Sequence, residues 1–189
     1  AARRNRAGVE MVDLEEAKDR VMMGPERRSM ALSEKERRIT AYHEAGHALV
    51  AKFTPDNENR VHKVTIIPRG LSLGLTMQLP SEDRYTASRR YLEKRLAIMM
   101  GGRAAELLVF DEETSGAGQD IKVATETARR MVAQWGMSSL GPIHMDQTSE
   151  MVFLGKEIAT QREVSEATAQ RVDAEIERLV LDAAARARR

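Results

Sequence analysis

The segment SEKERRITAYHEAGHALVAKF constrains the fold of this chain more than any other stretch of the sequence. Ser33 followed by Glu36 is a capping-box pattern, in which a hydroxyl and a carboxylate satisfy each other's free backbone amides. We therefore expect a helix to begin there and to continue to about Phe53. His43 and His47 are four residues apart, and positions i and i+4 lie on one face of a helix. The two imidazoles can therefore converge on one point.

Glu44 follows the first histidine and completes the pattern His-Glu-x-x-His, which zinc hydrolases carry on a helix. In such sites the glutamate faces water activated by the metal and serves as its general base. The alternative is an amphipathic helix with two core histidines. We favour the metal site, because chance occurrence of the pattern is on the order of one per cent. The chain has no cysteine, so the ligands must be imidazoles and carboxylates.

A catalytic zinc usually needs a third protein ligand, and the residue pattern leaves that ligand open. His62 lies in a predicted strand, where an ordinary polar strand residue is favoured over a ligand, and His144 lies in a predicted loop, where a surface role is favoured. Glu106 shares a helical stripe with Arg103, and an ion pair between these two is favoured over ligation. Asp120 opens a helix on an apolar stripe, where a carboxylate is costly unless it is paired or binds a metal. It could equally cap that helix, so the spacing favours Asp120 only slightly.

The remaining pattern predicts a mainly α fold, a compact array of helices with a small two-stranded β ribbon. We expect a first helix with Asp13 as its N-cap and Gly24 as its stop. The ribbon should lie within residues 60–80, its two strands separated by Pro68 and Gly70. Further helices are predicted at about 86–109, at about 120–135 and from about 157, with a loop over 136–150.

Composition excludes several functional classes. A formal net charge of +1 gives no bias towards nucleic acid or a membrane surface. No apolar run approaches the ~20 residues of a membrane span, and the basic start lacks the apolar stretch of a signal peptide. No G-x-x-x-x-G-K-[ST] phosphate loop is present, so we expect no ATP binding. The chain reads as an excised, soluble fragment.

Four stretches in this order resemble the protease domain of the FtsH family, the membrane-anchored AAA+ zinc proteases of bacteria and organelles. They are AYHEAGHALVA, the ribbon PRG…LGLTMQLP, GGRAAELLVF and TSGAGQDIKVATETARRMVAQWGMS. The preceding residues resemble the end of the family's AAA+ module. The resemblance divides the chain into a remnant of the AAA+ lid subdomain at 1–24, a linker at 25–33 and a zinc metalloprotease domain at 34–189.

The resemblance implies a hydrolase with one zinc per subunit, held by His43, His47 and Asp120, with Glu44 as the catalytic base. The resemblance assigns Glu106 only the role of a group that supports a metal ligand, not that of a ligand itself. It also favours an exposed strand, Gly74 to Leu79, as the element that pairs with an extended peptide substrate. The rival reading is a catalytically silent assembly scaffold, against which the intact site residues argue.

The resemblance further implies a full-length protein that forms a homohexamer and performs ATP-dependent quality control of unfolded or misassembled membrane and soluble proteins. That protein would be anchored in the bacterial inner membrane, with this domain on the cytoplasmic side. The expected partners of the fragment are polypeptide substrates, without nucleic acid and without membrane contact of its own. ATP would be needed only by the full-length protein.

Overall fold

The structure is a computed structural model that describes residues 7–27, 32–69, 72–80, 85–145 and 165–189. Its elements in chain order are α1 (Met11–Met23), α2 (Glu34–Phe53), β1 (Asn59–Thr65), β2 (Leu75–Pro80), α3 (Arg89–Met99), α4 (Gly101–Phe110), a 3-10 turn (Ser115–Ala117), α5 (Gly118–Ala133) and α6 (Glu166–Ala187). The prediction of a mainly α fold with a two-stranded ribbon is confirmed. Among the described residues, no helix has both the length and the apolar character to cross a membrane.

The helix α2 has the bounds that its sequence predicts. The hydroxyl of Ser33 accepts a hydrogen bond from the amide of Glu36 at 3.2 Å, and the last helical residue is Phe53. The helix α1 ends at Gly24 as predicted, with φ 81°, but Asp13 is not its N-cap. The N-cap is Glu10, and Asp13 closes a capping box from inside the helix by accepting a bond from the Glu10 amide at 3.1 Å.

The β ribbon is an antiparallel pair in which Val64 lies opposite Thr76. The first strand is shorter than its run of apolar residues predicts. It ends at Thr65, so Ile66 and Ile67 lie beyond it. The Thr65 hydroxyl accepts a bond from the Ile67 amide at 3.1 Å, which turns the chain out of the strand. The predicted turn at Pro68 and Gly70 lies partly outside the described residues. Within the described chain β2 pairs only with β1, so its second edge is unpaired.

The helix predicted over 86–109 is wrong as a single element, because the structure divides it at Met100 into α3 and α4. The break lets α3 pack against α5 and α6 while α4 packs against α2. Two glycines lie back to back where α4 meets α2. A Cβ on Gly101 would lie 2.7 Å from the carbonyl oxygen of Gly46, so only glycine allows this approach of the two backbones.

The hydrophobic core lies between α3, α5 and α6. Its buried side chains include Leu92, Leu96, Met131, Ile176 and Leu179. The apolar stripe predicted for the last helix is buried, and the helix begins at Glu166. The predicted start of that helix, 157–164, lies outside the described residues. So does the end of the predicted loop, 146–150. This core fixes α3 and α5 relative to each other and thereby places the N-terminal turn of α5 beside α2.

Candidate metal centre

Three side-chain atoms from two helices converge at the junction of α2 and α5. The Nε2 atoms of His43 and His47 are 3.0 Å apart, and Oδ2 of Asp120 lies 3.2 Å from each of them. All three side chains are at least partly buried, with His43 12%, His47 11% and Asp120 31% exposed. Asp120 is not the helix cap that the sequence left open, since it is the third residue of α5 and the N-cap is Ala117.

The second nitrogen of each imidazole has its own acceptor, which assigns the tautomers. Nδ1 of His47 donates to the carbonyl oxygen of Ile98 at 2.8 Å, and Nδ1 of His43 donates to Oε1 of Glu106 at 2.6 Å. In the neutral rings both Nε2 atoms are therefore lone-pair acceptors. They face each other and the carboxylate of Asp120 without a proton between them. Three acceptors at this separation repel one another unless a cation lies among them.

The geometry fits zinc. Tetrahedral zinc with imidazole and carboxylate ligands at 2.0–2.2 Å requires ligand atoms about 3.3 Å apart, and the three separations here are 3.0 to 3.2 Å. Among the described residues, this is the one group of three metal-ligating side chains with such convergence. Three protein ligands leave a fourth position open, as catalytic zinc sites do.

The site also sets the charge of its carboxylates. Burial disfavours the ionised form of Asp120, but when His43 and His47 carry a proton at Nε2, their hydrogen bonds to Asp120 outweigh burial and hold its pKa at about 2. Asp120 is therefore an anion at neutral pH. Burial raises the pKa of Glu44 above its ordinary value, although a hydrogen bond from Thr76 opposes the shift. A raised pKa makes a carboxylate a better proton acceptor near neutral pH.

Glu44 lies beside the candidate metal ligands and is 7% exposed. Its Oε2 is 2.7 Å from the Thr76 hydroxyl on β2. The ring of His43 rests on the backbone of Gly102, where a Cβ would lie 2.6 Å from Nδ1. The ribbon therefore confines the side chain of Glu44, and the start of α4 confines that of His43.

Comparison with known proteins agrees with this geometry. The model of peptidase family M41 matches residues 30–189, most of the chain. The chain belongs to peptidase family M41. It is 55% identical over 183 residues to the ATP-dependent zinc metalloprotease FtsH of Acidobacterium capsulatum, covering 97% of this chain and 28% of that protein. It is 57% identical over 177 residues to FtsH of Magnetococcus marinus, covering 93% of this chain and 26% of the relative.

The FtsH protein of Caulobacter vibrioides is 54% identical over 183 residues, covering 95% of this chain and 29% of its own length. The expected resemblance to the FtsH family is thus confirmed. The chain spans less than a third of the length of these relatives.

Within this M41 domain the predicted ion pair between Glu106 and Arg103 is wrong. Glu106 is 1% exposed, and besides His43 it accepts a bond from the amide of Thr114 at 3.1 Å. Arg103 instead pairs with Glu113. Glu106 and Arg103 are three residues apart and are therefore neighbours on the surface of α4. This spacing cannot show that Glu106 faces α2, which depends on how α4 packs.

His144 is exposed in the loop after α5, as predicted, and His62 is an exposed residue of strand β1. Sequence reasoning missed the partners that hold the site residues. The carbonyl of Ile98 carries no side-chain signal at all. Thr76 reads only as a β-branched strand residue, and its contact with Glu44 follows from how the ribbon packs on α2.

Proposed function

We propose that this chain is a zinc-dependent endopeptidase domain in which His43, His47 and Asp120 hold the metal and Glu44 is the general base. The observation that carries the proposal is the convergence of His43 Nε2, His47 Nε2 and Asp120 Oδ2 within 3.2 Å of one another. This donor set contains no serine, threonine or cysteine that could attack a peptide bond directly, and it adjoins a buried glutamate. Both features suit hydrolysis by activated water.

When bound to these three atoms, zinc would supply a Lewis acid that polarises the scissile carbonyl and makes water more acidic. Glu44 accepts a proton from the attacking water and returns it to the amine that leaves. Asp120 remains ionised and offers a negative charge to the cation. Glu106 and the Ile98 carbonyl keep both imidazoles in the tautomer that turns Nε2 towards the centre.

The substrate is proposed to be an extended polypeptide that adds to the edge of β2 that has no strand partner in the described part of the chain. A groove of about 450 Å³ runs between β2 and α3. Its lining includes two neighbours of the proposed metal centre: Thr76, whose hydroxyl contacts Glu44, and Ile98, whose carbonyl oxygen contacts His47. Backbone hydrogen bonds to a strand edge tolerate many sequences. Met77→Pro should remove peptide cleavage while zinc content stays normal, and normal cleavage would refute this docking mode.

The experiment that tests the function is Glu44→Gln, measured by zinc content and by cleavage of casein and of a quenched fluorescent peptide. The substitution keeps the size of the side chain, but an amide cannot accept the proton, so zinc should stay bound while turnover is lost. Glu34→Gln, an exposed position on the same helix, is the matched control and should retain full activity. Peptide cleavage by Glu44→Gln at the rate of the unchanged chain would overturn the proposal.

The relatives are named ATP-dependent proteases and are more than three times as long as this chain, which supports a proposal about the whole protein. Residues 1–24 would be the end of an AAA+ lid subdomain, 25–33 a linker and 34–189 the protease. The family model, which starts at residue 30, is compatible with that division. The complete protein would be a hexamer anchored in the bacterial inner membrane, with this domain on the cytoplasmic side, degrading unfolded and misassembled proteins.

A further inference from the structure

We propose that Thr76 is a positioning residue for the catalytic base, holding one carboxylate oxygen of Glu44 so that the other is left for the reaction. The inference rests on the proposed role of Glu44. It extends that role to a residue of the ribbon, which the function described above uses only for its backbone edge. The two observations behind it are independent of each other: a hydrogen bond and a steric limit.

The hydrogen bond is made by the Thr76 hydroxyl. Its Oγ1 lies 2.7 Å from Oε2 of Glu44 and 3.0 Å from the main-chain carbonyl oxygen of the same residue. A hydroxyl has one hydrogen to donate and can also accept. It donates to Oε2 when Glu44 is ionised. When Oε1 takes up the proton, Oε2 remains a carbonyl oxygen that accepts the same hydrogen bond, so the contact persists on both sides of a proton transfer.

The steric limit comes from Gly74, two residues earlier in the chain. A Cβ at this position would lie 2.7 Å from Cγ and 2.8 Å from Oε1 of Glu44. The backbone at Gly74 therefore lies against the stem of the Glu44 side chain, while Thr76 holds its end. Because both residues belong to the same chain segment, Glu44 has little room to rotate away.

The remaining oxygen, Oε1, is free for chemistry. Within the described residues the Glu44 side chain makes no hydrogen bond other than the one with Thr76. Oε1 is not among the fully buried polar atoms that lack a partner. One oxygen is anchored to Thr76 and the other has no hydrogen-bond partner among the described residues, which is the arrangement that a general base needs if its accepting atom is to stay aimed.

The test is Thr76→Val, which removes the hydroxyl, keeps the side-chain shape and suits a strand equally well. The zinc-loaded chain of 189 residues is assayed with a quenched fluorescent peptide, so that kcat and KM are separated. We expect kcat to fall by about 10- to 100-fold, as for loss of one hydrogen bond to a charged group. The KM, the zinc content, the melting temperature and the visible spectrum of the cobalt-substituted protein should not change.

Three further variants make the result specific. Thr76→Ser restores the hydroxyl and should recover most of kcat, whereas Thr76→Ala, which removes it without adding a methyl group near the carboxylate, should behave like Thr76→Val. Thr65→Val removes a hydroxyl from β1 in the same ribbon and should have no effect on kcat, since the Thr65 hydroxyl bonds to the Ile67 amide and not to Glu44. This pattern supports a positioning role that acts through Glu44.

Other results overturn the inference. Unchanged kcat in Thr76→Val while Glu44→Gln is inactive would refute the role of Thr76 and leave the proposed function standing. A change in KM alone would make Thr76 a substrate-binding residue, and loss of zinc or a lowered melting temperature in both Thr76→Val and Thr76→Ala would make it structural. Full activity of Glu44→Gln would remove the proposed function itself, and the inference with it.

Discussion

Replacement of Glu106 by glutamine should weaken zinc binding although no proposed ligand is changed. Both oxygens of Glu106 are acceptors in a buried site, Oε1 for His43 Nδ1 at 2.6 Å and Oε2 for the Thr114 amide at 3.1 Å. Glutamine offers one acceptor oxygen and one NH₂ donor. In Glu106→Gln, either the His43 Nδ1–H or the Thr114 N–H must therefore face the NH₂ group, which is itself a donor. The negative charge beside the imidazole is also lost.

The size of the effect follows from that contact. Loss of the partner that orients a metal-bound histidine lowers metal affinity by about 10- to 100-fold, which corresponds to about 1.4 to 2.7 kcal/mol. The zinc-free protein should also lose stability, because a buried donor without a partner costs about 1–3 kcal/mol. The two effects are separable. The loss of metal affinity appears only when zinc binding is measured, whereas the loss of stability remains when a chelator keeps the protein free of zinc.

The assay is competition for zinc against a chelator of known affinity, together with thermal unfolding in excess chelator. Glu113→Gln is the matched control, because Glu113 is exposed and pairs with Arg103 rather than with the site. Its zinc affinity should equal that of the unchanged chain. Equal affinity in Glu106→Gln would refute the argument that Glu106 supports His43. Complete loss of zinc would instead make Glu106 a direct ligand.

Two further predictions concern packing and pH. Gly102→Ala should lower both zinc affinity and stability, because the added Cβ would lie 2.6 Å from His43 Nδ1. An overpacked site of this kind costs about 1–3 kcal/mol. Gly118→Ala, whose Cβ would meet nothing within 4 Å, is the control, and equal zinc affinities of the two variants in chelator competition would contradict this account. Glu175 bonds to Arg178, which lowers its pKa to about 2, so its contribution to stability is full above its ordinary pKa and is lost as pH falls towards 2. The unfolding free energies of the unchanged chain and Glu175→Gln should therefore differ by about 1 kcal/mol or less near neutral pH and converge in acid, and a difference that grows in acid would refute this.

Local sequence rules predicted the elements that depend on neighbours in the chain. The start of α2 follows from Ser33 and Glu36, and the shared face of His43 and His47 follows from the helical repeat of the same segment. The end of α1 follows from the freedom of Gly24 to adopt a positive φ. Each of these signals lies within four residues of the feature that it determines.

The third proposed ligand could not be decided in that way. Asp120 is 77 residues from His43, and Glu106 is 63 residues from it. Both carboxylates contact the same imidazole, one at each nitrogen. Spacing within α4 or α5 cannot show which nitrogen a carboxylate reaches, because that depends on how the two helices pack against α2.

The break at Met100 escaped the sequence pattern for a related reason. Apolar positions continue through the Gly101–Gly102 pair with helical spacing, so periodicity alone favours one helix. The division is set by the contact of Gly101 with Gly46, a residue of another helix. Thr76 was missed likewise, since a threonine in a strand needs no explanation until its hydroxyl is seen to contact Glu44.

The most direct test of the central claim is a crystal structure of the zinc-loaded chain with anomalous diffraction measured at the zinc edge. We predict one anomalous peak, bonded to Nε2 of His43, Nε2 of His47 and a carboxylate oxygen of Asp120, with Glu106 bonded to His43 and not to the metal. A peak that lacks Asp120 as a ligand, a peak ligated by Glu106, or no peak between the two imidazoles would contradict the account.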